Sequence, residues 1–436
     1  MRKCKRTAAE CVDRHPKVRQ KDAINSLPDE ILQHILCFIP TKLAVTTSLL
    51  SSRWRHVWCR TPSISLESSA LRAASRMQTQ YRYTAPKMMS LHLLTGSKDN
   101  VKHVNRWIEL AMSRRVEKMD LELQFKSDYY EFPHFFYINS SFKELRVEVR
   151  FTSVVPSCFV AWTSLKKLSF RSCKLSDNSI AMILSGCPIL EFLKLDGCVD
   201  LHDLKLSNAL RLRTLQVFGP RSLSQSPVKI VAPHVRCLKL RNSLILCTLG
   251  DISSLAEAKL NISAHALPSI NPVSLGVMVV PMAEMLEKLH NVENLTFGRD
   301  FLKNLSRPEL GGVPFPKFKR IKALALDTPL SADMCVIIEK LLQQSPGLKT
   351  LTIHTRSHNT KPALWKTSRW EAELKHIATR IESLLKKTKA LEEMVVQLDD
   401  RYFKAIGFEE MAQTLSRNYK NVSIVFSTKP AAIEEW

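Results

Sequence analysis

The side chains able to do covalent or redox chemistry in this 436-residue sequence are scattered rather than grouped. No G-x-x-x-x-G-K-[ST], G-x-G-x-x-G, G-x-S-x-G or H-E-x-x-H run occurs, so phosphate-cradling loops, nucleophile elbows and helical zinc pairs are missing as motifs. His354 and His358 are four apart but fall in a Thr/Ser/Asn-rich stretch, read as a loop with no shared helical ligand face. Asp399-Asp400 is an acidic pair with no histidine at motif spacing. The 11 cysteines include no C-x-x-C pair and keep no metal-ligand spacing with the 13 histidines. Several, such as Cys173, Cys198 and Cys237, sit inside apolar-periodic segments as small hydrophobes. Reduced thiols suit a nuclear or cytosolic protein. No catalytic pair, metal or cofactor is expected. What remains is the chemistry of binding: large apolar side chains crowded between residues 27 and 58, and lysines and arginines at repeating positions from 167 to 241.

The bulk numbers agree with a binding protein of two parts. The chain is too long for one compact core but comfortable for a small module plus a long array. A formal charge of +23 favours anionic partners in general: nucleic acid, phosphorylated or acidic proteins, inositol phosphates. Residues 1–21 carry eight Lys/Arg against Glu10 and Asp13, so this tail holds +6 of the total and the rest of the chain +17. It is expected to be disordered, or to serve as a nuclear import signal through Arg2-Lys3-Cys4-Lys5-Arg6. Its start lacks the apolar core of a secretory leader. The longest run without full charge, Asn261 to Ala283, is broken by Pro268, Pro272 and Pro281, which suits an irregular insertion rather than a membrane span.

The apolar cluster must be positioned by helices. Ser26 is a candidate N-cap, Pro28 suits a first helical position, and Asp29 and Glu30 favour the positive end of the helix dipole. Ile31, Leu32, Ile35, Leu36 and Ile39 then form one apolar stripe, and Pro40 stops the helix. A second stretch from Thr41 to Trp58 carries Val45, Leu49, Leu50, Trp54, Val57 and Trp58. Fewer than forty residues cannot bury all of these within themselves. Their surplus apolar face must meet either the following domain, as the cap of an array, or a partner.

The basic positions belong to a repeat. L-x-x-L-x-L appears at Leu165-Lys-Lys-Leu168-Ser-Phe170, Leu190-Glu-Phe-Leu193-Lys-Leu195, Leu212-Arg-Thr-Leu215-Gln-Val217 and Val235-Arg-Cys-Leu238-Lys-Leu240, at steps of 25, 22 and 23 residues. Degenerate copies start at Met88, Val116, Phe142, Leu255, Val292, Ile321, Leu348 and Leu391. This period is that of leucine-rich repeats. In the first clear copy Leu168 and Phe170 alternate as a strand, Cys173 takes the Asn/Cys position, Ser176-Asp177 offers a helix start and Gly186 a stop. Stacked strands make a curved parallel sheet with helices or loops outside, an α/β solenoid over residues 63–360. Alternation then turns 167, 169 and 171 outward, with equivalents 192, 194, 196, then 214, 216, 218, then 237, 239, 241. Lys167, Arg171, Lys194, Lys239 and Arg241 thereby line the concave face as a basic strip, either a solvated surface or a site for target or anion.

The residues Leu27-Pro28-Asp29-Glu30-Ile31-Leu32, Ile35-Leu36, Phe38-Ile39-Pro40-Thr41-Lys42, Ser48-Leu49-Leu50-Ser51, Arg53-Trp54-Arg55 and Val57-Trp58 resemble the F-box of plant F-box proteins. The resemblance implies an F-box over residues 22–62 that packs on the Skp-type adaptor of a Skp–cullin–F-box ubiquitin ligase and, through it, on cullin. It also implies the contact residues: Leu27, Pro28, Ile31, Leu32, Ile35, Ile39, Pro40, Val45, Ser48, Leu50, Trp54 and Trp58. Leu43 and Ser52 depart from the family, which usually has an acidic and a basic residue there. Gly186-Cys187-Pro188-Ile189-Leu190-Glu191 is also typical of repeats behind plant F-boxes. Over residues 361–436, the stripe Trp370, Leu374, Ile377, Ile381, Leu384 is followed by strand-like Leu391–Leu398, helix-like Gly407–Leu415 and strand-like Val422–Phe426. That order resembles the C-terminal FBD region of F-box/leucine-rich-repeat proteins, read as an α/β cap of the solenoid or, through its helix, a dimer contact. The implied function is a non-catalytic receptor presenting an unknown target, with or without an anionic co-ligand. A basic scaffold or nucleic-acid-binding repeat protein is the alternative.

Overall fold

The computed structural model describes residues 23–71, 82–125, 130–150, 152–219, 228–242, 247–262, 282–306, 314–355, 367–388 and 390–428. The basic tail, His358 and most of the 261–283 insertion lie outside these residues.

Every L-x-x-L-x-L copy, clear or degenerate, leads into a strand. The strands are β1 (Ser63–Glu67), β2 (Ser90–Thr95), β3 (Lys118–Leu123), β4 (Glu144–Val149), β5 (Lys167–Arg171), β6 (Phe192–Asp196), β7 (Asp203–Lys205), β8 (Thr214–Phe218), β9 (Val228–Val231), β10 (Cys237–Asn242), β11 (Cys247–Leu249), β12 (Glu257–Ile262), β13 (Asn294–Phe297), β14 (Ala323–Asp327), β15 (Thr350–His354), β16 (Glu393–Leu398) and β17 (Ser423–Thr428). A 14-stranded sheet takes all of them except β7, β9 and β11, in chain order. Each neighbouring pair is parallel, as the solenoid reading requires. One column of apolar side chains runs through it in direct register: Leu91, Met119, Leu145, Leu168, Leu193, Leu215, Leu238, Ala258, Leu295, Leu324, Leu351, Met394. All are buried. At roughly 1.5–3 kcal/mol for each fully buried large aliphatic chain, this column outweighs any surface pairing in the molecule.

The outer layer is mixed. Helices Val101–Ser113, Asp177–Ser185, Ala332–Gln343 and Thr367–Lys387 cover parts of it. Between β6 and β12, however, the outer side is a second parallel sheet, in the order β11-β9-β7. Helices or loops were expected there. The short repeats leave too few residues between sheet strands for a helix and two turns, so the return leg stays extended and buries Leu204, Ile230 and Leu249. The longer repeat holds its helix as anticipated: Ser176 Oγ accepts from Ser179 N–H at 3.1 Å. Gly186 ends that helix in an ordinary right-handed conformation, φ −86°. Its need for glycine is steric, because a Cβ there would stand 2.2 Å from the Val160 carbonyl oxygen. Cys173 fills its rung position with no exposure.

Within the described residues 367–388 and 390–428, the C-terminal α/β region closes the solenoid as a continuation of it. β16 and β17 extend the same sheet, and Leu374, Ile377, Ile381 and Leu384 are buried by helix Thr367–Lys387 packing on Ala332–Gln343. These four residues of the stripe are spent inside the array, and the Trp370 side chain lies outside the described residues. His354 likewise lies in a strand, not a loop, with Nδ1 2.7 Å from Gln397 Oε1.

The N-terminal residues keep a core of their own. Leu32, Leu36, Ala44, Trp54, Val57, Trp58 and Cys59 pack together, apart from the continuous core of the sheet. The first helix runs Asp29–Leu36, starting later than the Ser26 cap suggests, because Ala23–Ser26 closes a separate 3-10 turn. Arg53 holds the joint, with Nε on Asp29 Oδ1 at 2.9 Å and Nη2 on the Leu27 carbonyl. The Thr41–Trp58 stretch breaks into helices Thr41–Thr46 and Trp54–Val57 with 3-10 turns. Thr41 Oγ1 accepts from Ser65 N–H at 2.8 Å, which fastens the module to β1.

Two outcomes follow. Gly186→Ala should cost about 1–3 kcal/mol through forced displacement of the Val160 backbone, read as a lowered urea midpoint; an unchanged midpoint would mean this approach is soft. Hydrogen bonds from Lys143 and Lys87 hold the Glu117 carboxyl down at about 2. A carboxyl depressed by folding stabilises above its unfolded pKa and loses that contribution as pH falls through the folded one. Glu117→Gln should therefore flatten the acid loss of stability between pH 4.5 and about 2; superimposable profiles of the two proteins would rule this out.

Candidate docking surfaces

The helical module turns apolar side chains both ways. Leu32 and Leu36 point into its core, while Ile31 and Ile35 stay in solvent. The single stripe read from the sequence is thus two, an inward 32/36/39 row and an outward 31/35/38 row. Of the implied contact residues, Pro28, Ile31, Ile35, Pro40 and Leu50 are exposed, and Leu27, Ile39, Val45 and Ser48 are half-buried. Leu32, Trp54 and Trp58 are buried in the module's own core. Four further apolar residues of the module are exposed outside that set: Ile24, Phe38, Leu43 and Leu49, the last 84% exposed. The outward helical spacing of Phe38 from Ile31 and Ile35 is the signal that would have found it.

On the sheet, alternation places the five basic residues on the concave side, in three rows. Lys167 shares its row with Glu144 and Phe192; Ser169, Lys194, Gln216 and Lys239 form the next; Arg171, Asp196, Phe218 and Arg241 the third. The strip is not uniformly basic. Lys167 pairs with Glu144 at 3.1 Å, and Arg171 with Glu148 at 3.3 Å and Asp196 at 3.2 Å. Lys194 lies 3.8 Å from Asp196 and 4.9 Å from the Phe218 ring centroid, with Arg241 5.4 Å from the same ring. The acidic partners Glu144 and Glu148 come from the degenerate copy at Phe142, whose outward positions fall in register with Lys167 and Arg171. Lys259 likewise falls in register with Lys239.

The local fields follow from these pairs. Burial pushes Glu144 up, but hydrogen bonds from Lys167 and Lys118 outweigh it and leave its pKa below the usual value. Burial lowers Lys194; Asp196 opposes this, and the Arg171, Arg146 and Arg241 charges add to it. Among the described residues one group has the make-up of a metal site: His92, Asp120 and Glu122, whose ligand atoms lie within 4.8 Å of one another. Arg146 already supplies positive charge there, 3.5 Å from Asp120 and 3.3 Å from Glu122. Two of the repeat cysteines are poor nucleophiles, since burial pushes Cys187 up to about 12 and Cys237 to about 11.

These two surfaces define the class: a small helical docking module in front of a leucine-rich-repeat solenoid. The F-box domain family matches residues 24–65, and the family described as "At1g61320/AtMIF1, LRR domain" matches residues 81–392. The chain is 46% identical to a putative F-box/LRR-repeat protein At3g18150 of Arabidopsis thaliana, over 93% of this chain and 92% of that one. Against F-box/LRR-repeat proteins At5g02910 and At3g03360 of the same plant it is 43% identical, over 93% and 94% of this chain and 94% and 91% of theirs. The chain belongs to the F-box/LRR-repeat proteins. F-box domains generally bind Skp-type adaptors, and neither matching family is an enzyme family. No described helix is long and apolar enough to cross a membrane.

The inward and outward rows separate by mutation. Trp54→Ala should cost about 3–5 kcal/mol by emptying the small core. Ile31→Asp, at an exposed position, should change stability by no more than about 0.5 kcal/mol. Thermal melts and limited proteolysis of the N-terminal module check both, and equal losses would show that Ile31 is structural.

Proposed function

We propose that this chain is the substrate-recognition subunit of a Skp–cullin–F-box ubiquitin ligase. The observation that carries this reading is a helical module that completes its own core and still leaves Ile31, Ile35, Phe38, Leu49 and Leu50 exposed. Such a row has the character of interface anchors that become buried on docking. The adaptor takes this row, cullin follows through the adaptor, and the solenoid holds the target protein. The chain supplies proximity and orientation, with no reactive group of its own. Its free cysteines suit the nucleus or cytoplasm.

Co-expression with a plant Skp adaptor tests this. The native chain should co-purify as a stoichiometric complex, and Ile31→Asp with Leu50→Asp should weaken it by at least about tenfold while the melt is unchanged. Absence of a complex with the native chain would overturn the reading. Tight, steeply salt-dependent binding to a polyanion in its place would favour the basic-scaffold alternative.

A further inference from the structure

Across β6, β8, β10 and β12 the concave face gathers cations faster than it neutralises them. The middle row runs Lys194, Gln216, Lys239, Lys259 in direct register. At about 4.8 Å between paired strands, Lys194 and Lys239 stand two strand spacings apart, and Lys239 and Lys259 one. Arg241 stands in the neighbouring row. Among the described residues, two carboxylates pair with these lysines: Asp196, shared with Arg171, and Glu257, 3.0 Å from Lys259. Among the described residues Lys239 has no carboxylate within ion-pair distance. The stretch over β3 to β5 differs. There Lys118 and Lys167 both pair with Glu144, and Arg146 with Asp120, Glu122 and Glu148.

Resting on the receptor reading above, we propose that the β6–β12 stretch of the concave face captures an acidic segment of the target polypeptide. Its carboxylates meet Lys194, Lys239 and Arg241. In an extended chain alternate side chains recur every ~6.6–6.8 Å, so acidic residues two or three apart reach neighbouring or next-neighbouring strands. Lys194 is well placed to gain from this, because burial and three nearby guanidinium groups already disfavour its charge, and a new anion relieves that. A polypeptide fits better than nucleic acid. Asp196 and Glu257 interrupt the cations and would repel a continuous phosphate backbone. Phe218 is only 9% exposed, beneath Lys194 and Arg241, so it offers no free face for a base to stack on.

The test uses the full chain co-purified with its adaptor and fluorescence anisotropy of a labelled, alternating Glu-Ala peptide of about twelve residues at roughly 50 mM salt. The native complex should bind it and ignore the Gln-Ala counterpart. Lys194→Glu with Lys239→Glu should weaken binding at least tenfold with an unchanged melt. Lys375→Glu with Lys404→Glu, exposed residues of the C-terminal repeats that shift net charge equally, should not. Equal weakening by both pairs, no binding by the native complex, or tighter binding of a single-stranded oligonucleotide of matched charge would each overturn the proposal. Adaptor retention is read in the same sample. A complex that keeps its adaptor but ignores the peptide sinks this inference alone. A chain that takes the peptide but no adaptor supports the inference and sinks the receptor reading.

Discussion

The rest of the structure depends on direct in-register pairing between successive repeats. No single repeat holds enough apolar surface to fold alone, so Leu168 is buried only because Leu145 and Leu193 flank it. A one-residue slip in any strand would turn its leucines into solvent. That penalty keeps the register constant from β1 to β17. Once the inward column is set, the outward side chains fall into rows as well, and the concave surface becomes a grid whose columns are strands.

Charge on that grid is resolved between neighbours. Glu144, Glu148 and Asp196 each bridge cations on adjacent strands, which is why β3 to β6 form a paired lattice. Exposed pairs of this kind contribute little stability individually, about 0–1 kcal/mol. Their effect is to cancel local potential, and where the carboxylates thin out toward β12 the potential of the lysines is left standing. Along one continuous sheet the face thereby passes from a paired stretch over β3 to β6 to a more basic stretch toward β12.

The helical module obeys a different constraint. Its small core is closed by Leu32, Trp54 and Trp58, large side chains that a surface reading of the same residues would place outside. Filling the core with these three is what allows the adjacent Ile31, Ile35 and Leu50 to remain in water. Arg53, reaching Asp29 and the Leu27 carbonyl, and Thr41, reaching Ser65, fix the module's ends. A folded module with an outward apolar row can dock without first ordering itself, which lowers the entropic cost of association.

From the residues alone, the repeat period, the start of the sheet strands from β2 onward, the inward and outward alternation and the helical character of the N-terminus were all determined, while β1, which no repeat copy marks, was not. Each is a local pattern of two to four residues, and hydrophobic periodicity reports such patterns directly. Which of two adjacent apolar residues on a helix faces inward was not, because Ile31 and Leu32 are alike in kind and only the position of Trp54 and Trp58 separates them. The strand-for-helix exchange at β7, β9 and β11 was also invisible, since it depends on the room left between neighbouring rungs. The neutralisation of Lys167 and Arg171 depended on Glu144 and Glu148, more than twenty residues away in sequence. Only the sheet, by setting strands side by side at one register, brings those charges together.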